Sequence, residues 1–141
     1  MPALSRITMF PARLEQLEEL RLFLESFCAQ AGLARENCLR LNLVLEELFT
    51  NTVRHGHGGD CDAPVWVSLA SGRDARVRVS YEDTAPPFNP YARLPDRSPD
   101  TTLSARGFGG LGVLLTRKLA ATRDYAYLHG RNCIRLVLQP D

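Results

Sequence analysis

Glu47 and Asn51 stand four apart in the stretch Leu41-Asn42-Leu43-Val44-Leu45-Glu46-Glu47-Leu48-Phe49-Thr50-Asn51-Thr52-Val53-Arg54-His55-Gly56. On a helix that spacing stacks two side chains on one face, about one turn apart. A carboxylate and an amide then point together out of a leucine-rich helix, which makes either a site or a solvated edge. Glu46 is the control, because a step of one residue is a rotation of about 100° and takes it off that face. Farther along, Asp83 ends an alternating run and opens Asp83-Thr84-Ala85-Pro86-Pro87-Phe88-Asn89-Pro90. The run Gly107-Phe108-Gly109-Gly110-Leu111-Gly112 then leads into an apolar helical pattern. Backbone amides at such a helix start can face an anion, with glycines allowing close approach.

The elements that must hold these residues are legible from periodicity. A short strand from Ser5 to Phe10 ends at Pro11. Between Arg13 and Ala31, Leu17, Leu20, Leu24, Phe27 and Ala31 recur at three and four, predicting an amphipathic helix that Gly32 stops. A second helix is expected from Arg35 to His55, closed by Gly56. The runs Val65/Val67/Leu69 and Val77/Val79/Tyr81 alternate and predict a hairpin. Residues 84 to 108 carry five prolines and no period, as expected of a functional lid. A third helix from about Gly112 to Ala121 and a hairpin of Tyr125–Leu128 with Cys133–Leu138, turning through His129 to Asn132, complete the pattern. The expected fold is α/β (α+β): one mixed, mainly antiparallel sheet with helices on one face, in a single domain spanning residues 1–141.

Composition excludes several classes. A net charge of +1 gives no basic excess for nucleic acid. Lys118 is the single lysine, so neither a P-loop nor the strand lysine of a eukaryotic-type kinase is available. No window approaches a membrane span or a secretory leader, and the four cysteines show no Cys-x-x-Cys spacing. The expectation is a cytoplasmic protein with reduced thiols. His55, His57, Asp60 and Cys61 gather four donors but match no zinc-finger spacing, and the glycines among them read as a flexible helix exit. Gly107 to Gly112 also spells Gly-x-Gly-x-x-Gly, but a dinucleotide fingerprint must follow a strand at the start of a βαβ unit. This one follows a proline-rich stretch.

In order and spacing, Glu-Leu-Phe-Thr-Asn, Pro-Phe-Asn-Pro and Gly-Gly-Leu-Gly-Val-Leu-Leu-Thr-Arg-Lys-Leu resemble the N, G1 and G2 boxes of the GHKL ATPases. The resemblance is strongest to the bacterial anti-sigma factor serine kinases of the RsbW and SpoIIAB type. It implies the Bergerat ATP-binding fold, with ATP and Mg2+ as cofactors. Glu47 would then be the general base, Asn51 the magnesium ligand, and Asp83 the acceptor for the exocyclic amine of adenine, a position where guanine has a carbonyl. Arg54, Ala85, Phe88, Arg106, Gly109, Gly110, Leu111 and Gly112 would contact the nucleotide, Arg106 as a bidentate donor to the terminal phosphate. The implied partners are a STAS-type anti-sigma factor antagonist, phosphorylated on serine, and a sigma factor, with a homodimer as the assembly. A binding module that uses nucleotide to shape a protein surface, without transferring phosphate, is the alternative. The sequence departs from the family at Ala85 and Pro87, where the pattern reads Asp-x-Gly-x-Gly. The Ala85 methyl group restricts close approach and the left-handed conformations that glycine permits.

Overall fold

The computed structural model describes residues 4–72, 76–89 and 120–138. Strand β1 (Leu4–Pro11) leads through a 3-10 turn (Leu14–Gln16) into helix α1 (Leu17–Ala31). Helix α2 (Arg35–Asn51) continues as a π turn (Thr52–Gly56), and β2 (Pro64–Ser71), β3 (Val77–Asp83), β4 (Ala120–Leu128) and β5 (Arg131–Leu138) follow. The sheet order is β1-β2-β3-β5-β4. Every pairing among the described strands is antiparallel, where a mixed sheet was expected. The pairs β2–β3 and β4–β5 are hairpins, β1 pairs with β2 across the two intervening helices, and β5 lies between β3 and β4.

Alternation sets the two faces of the sheet. Val65, Val67 and Leu69 of β2, Val79 and Tyr81 of β3, and Ile134 and Leu136 of β5 are buried with Leu20, Leu24 and Phe27 of α1 and Leu41, Leu45, Leu48 and Phe49 of α2 in one core. Phe10 packs edge-on against both Phe23 and Phe49, tying β1 to each helix. On the opposite face Ile7 is 71% exposed and Met9 53%. There the Arg131 guanidinium stacks 3.7 Å above the Trp66 ring and pairs with Glu82 at 3.0 Å.

Several boundaries differ from the sequence reading. The first helix is preceded by a 3-10 turn over Leu14–Gln16, because Asp60 Oδ1 accepts the Leu14 N–H at 2.8 Å and fixes the chain there. The same contact shows that the stretch after α2 is no loose exit: Cys61 N–H donates to the Ala12 carbonyl, Ala12 N–H donates to the Ala63 carbonyl, and Arg13 pairs with Asp62. The last hairpin turns through two residues, His129 (φ 54°) and Gly130 (φ 77°), the paired positive φ of a tight primed turn. Asn132 therefore lies in β5 and not in the turn. Strand β4 begins at Ala120, where a third helix was expected to run to Ala121, because its backbone pairs with β5 from Leu138 down to Arg131. The rest of that helix, and the lid beyond Asn89, lie outside the described residues. All four cysteines are free thiols, and no helix among the described residues is long and apolar enough to cross a membrane.

Candidate nucleotide site

The stripe that buries Leu41, Leu45 and Leu48 in the core continues to Thr52, a polar residue in an apolar series. Its hydroxyl reaches back to the Leu48 carbonyl at 3.1 Å, the kind of contact that loosens helical pairing. The hydrogen bonding then widens, His57 N–H reaching the Thr52 carbonyl five residues back. Single π turns of this sort are frequent at functional sites.

Thr52 Oγ1 also lies 2.6 Å from the Tyr81 hydroxyl and 2.7 Å from Asp83 Oδ2. Burial, then the Asp83 charge, pushes the Tyr81 phenol well above its ordinary value, against the lowering effect of the Thr52 hydrogen bond. Tyr81 keeps its proton and donates it to Thr52. The one Thr52 proton is then shared between the Leu48 carbonyl at 3.1 Å and the carboxylate at 2.7 Å, and favours the charged acceptor at the shorter distance.

Asp83 is only 6% exposed. Its Oδ1 accepts from the Ala85 N–H at 3.1 Å and from Asn132 Nδ2 at 2.9 Å. A carboxylate offers about four acceptor positions. The bonds from Thr52, Ala85 and Asn132 fill three, leaving one on Oδ2.

Asn132, 4% exposed, holds the chain beyond Asp83 in place. Its amide nitrogen also lies within reach of the carbonyls of Ala85 and Pro86, so that its two N–H groups are shared among three acceptors, while its oxygen accepts from Phe88 N–H and from the Tyr125 hydroxyl. A single buried amide thus ties β5, β4 and residues 83 to 88 together.

These elements enclose a cavity of about 310 Å³. Leu48, Asn51, Thr52, His55 and Gly56 form one wall, Tyr81, Asp83, Asn132 and Ile134 the sheet side, and Ala85 to Phe88 the rim. Four of the residues singled out from sequence, Asn51, Asp83, Ala85 and Phe88, are brought to this one cavity. Glu47 is half-buried while Glu46 is exposed, but the wall passes through Leu48 and Asn51, not Glu47. Arg54 is exposed and off the wall. Arg106, Gly109, Gly110, Leu111 and Gly112 lie outside the described residues. Ala85 does not take up a left-handed conformation, because His129 is the one non-glycine with positive φ among the described residues. That part of the departure from the glycine pattern carries no strain.

The donors suit a hard cation in one respect. Asn51 offers an amide oxygen at the cavity wall, and no group of three or more His, Cys, Asp or Glu among the described residues could hold a metal ion. A magnesium ion held there would draw its remaining ligands from phosphate and water, as it commonly does.

Sequence reasoning missed Thr52, Tyr81 and Asn132 as site residues. Each stands at a core-facing position and carries a polar atom that needs a partner once buried, which is the signal that could have found them.

A buried carboxylate between sheet and helix, beside a helix-borne asparagine, is the arrangement of a nucleotide-binding ATPase domain. The chain belongs to the histidine kinase-like ATPase domain family, whose model matches residues 10–138. Among solved structures it is similar to the crystal structure of the RsbU and RsbW domains of Rv1364c from Mycobacterium tuberculosis (TM-score 0.67, 17% identity), over 99% of this chain and 33% of that one. It is also similar to the SiaB–SiaC complex from Pseudomonas aeruginosa (TM-score 0.67, 18% identity), over 94% of this chain and 88% of that one. No curated protein matches the sequence. At these identities the two structures establish a shared fold.

Proposed function

We propose that the protein is an ATP-dependent serine-protein kinase and anti-sigma factor of a cytoplasmic partner-switching pathway, acting on a small STAS-type antagonist and working as a homodimer. The observation that carries the nucleotide part is the buried Asp83 carboxylate, which lines the cavity with one acceptor position left. The exocyclic amine of adenine would supply the missing donor, whereas guanine would set a carbonyl against the carboxylate. Asn51 would hold magnesium through its amide oxygen. That ion, when bound, neutralises charge on the phosphates. Arg54, Arg106 and the amides of Gly109 to Gly112 would hold the phosphate end. Glu47 would accept the proton of the antagonist serine as its oxygen bonds to the terminal phosphorus, and the bond to the bridging oxygen breaks to release ADP.

What supports the regulatory part is the shared fold of an RsbW domain and of SiaB, the latter solved with SiaC. The deciding experiment mixes purified protein, magnesium, radiolabelled ATP and the antagonist encoded nearest to it. Label on an antagonist serine is expected. ATP binding with no label transferred would favour the non-catalytic module, and no ATP binding would overturn both readings.

A further inference from the structure

Gly56 closes the π turn opposite Ala85, and both line the cavity. Gly56 is absent from the glycines with positive φ, which are Gly32, Gly58, Gly59 and Gly130. Its missing side chain therefore answers to space and not to backbone conformation. A Cβ built on it would lie 2.7 Å from the Ala85 Cβ, well inside the roughly 3.5 to 4.0 Å at which carbon atoms rest against one another. Alanine has no rotamer to turn away, so the strain must be taken up by the backbone, at 56 or across the contact at 85.

The backbone at 85 is bonded on both sides to the base-reading apparatus. The Ala85 N–H donates to Asp83 Oδ1 and its carbonyl accepts from Asn132 Nδ2, which also donates to Asp83 Oδ1. Ala85 itself is 3% exposed, so there is no solvent into which it can retreat. A displacement at 85 would disturb both bonds on one carboxylate oxygen and turn the free acceptor position on the other.

We infer that Gly56 and Ala85 are a size-matched pair that sets nucleotide-base selectivity by holding Asp83 in register, so that an alanine at 85 is accommodated by the glycine at 56. The inference rests on the adenine reading of Asp83. In its terms Gly56 and Ala85 are positioning residues. The chain departs from the glycine pattern at 85 without loss because the opposing residue is the smallest available.

The test is a double-mutant cycle read by calorimetry with ATP and GTP. Gly56→Ala should weaken ATP binding about tenfold or more, the scale of a displaced buried hydrogen bond, and should narrow the ratio of ATP to GTP affinity. Adding Ala85→Gly should recover both affinity and ratio to within about threefold of the parent, a large coupling between the two positions. Ala85→Val, which enters the same space from the other side, should reproduce the loss of selectivity and stands in if Gly56→Ala does not fold. A double variant whose losses equal the sum of the single ones, in free energy, overturns the pairing while leaving adenine reading intact. A parent protein that binds ATP and GTP alike overturns the adenine reading and the inference with it.

Discussion

Glu46 and Glu47 are chemically identical neighbours with different environments, one exposed and one half-buried a turn before Asn51. Glu47→Ala is expected to cut phosphotransfer by about 10² to 10⁴, the usual reach of a general base, with ATP binding close to the parent value, while Glu46→Ala does little. Equal activity in the two variants would remove Glu47 from the chemistry. Thr52→Val keeps the volume and deletes the hydroxyl between Tyr81 and Asp83. Leaving both buried partners short of a bond should cost about 1 to 3 kcal/mol in urea unfolding; a cost below about 0.3 kcal/mol would mean that the three groups do not form one chain of bonds. Asn51 could be found in the sequence from its spacing with Glu47, and Asp83 because it is a polar residue ending an alternating apolar run. For Thr52 and Asn132 the sequence shows only a polar residue at a core-facing position. Their polar atoms are matched to groups 31 to 49 positions away, and no local pattern records such a partner.

Helix α1 ends in a two-bond motif, Leu33 N–H to the Cys28 carbonyl at 3.0 Å and Gly32 N–H to the Ala29 carbonyl, with Gly32 at φ 71°. This is the Schellman arrangement, which requires the left-handed residue. Gly32→Ala should therefore destabilise the fold by about 1 kcal/mol, read as a lower urea midpoint at unchanged slope. A change in slope would instead point to an altered denatured state. Both described helices and strands β2 and β3 were legible from period, because each has one buried and one open face, whereas β4 and β5 were legible chiefly from the turn between them. What failed were the ends. The 3-10 turn before α1 depends on Asp60, contributed from 46 positions away, and the start of β4 depends on pairing with β5. Propensity in a stretch like Thr116 to Ala121 cannot register a neighbouring strand.

At the scale of the molecule, nucleotide and fold stability are linked. ATP with magnesium at about one hundred times its dissociation constant should stabilise the protein by about 2.7 kcal/mol, a rise of roughly 5 to 10 °C in melting temperature for a chain of this size. GTP at the same concentration should give a much smaller rise. Identical shifts with the two nucleotides would count against base reading at Asp83. The architecture as a whole followed from the order of elements, but the strand order β1-β2-β3-β5-β4 did not, because antiparallel hairpins of similar pattern can be laid side by side in more than one sequence.

That strand order also determines when the site can exist. Asp83 and Asn132 bond across 49 positions, and β3 gains its second neighbour from β5, the later of the two strands in sequence. During synthesis β1, α1, α2, β2 and β3 emerge before β4 and β5, and β3 presents a bare sheet edge to the ribosome's surroundings until the β4–β5 hairpin arrives. Long-range pairings of this type close late, since the entropy of the intervening loop is lost before the contact is gained. Nucleotide accordingly cannot serve as an early template for folding and can only lock a sheet already complete. A chain ending at residue 119 should bind no ATP and should aggregate through its open edge, which makes arrival of the β4–β5 hairpin the step at which the site becomes competent.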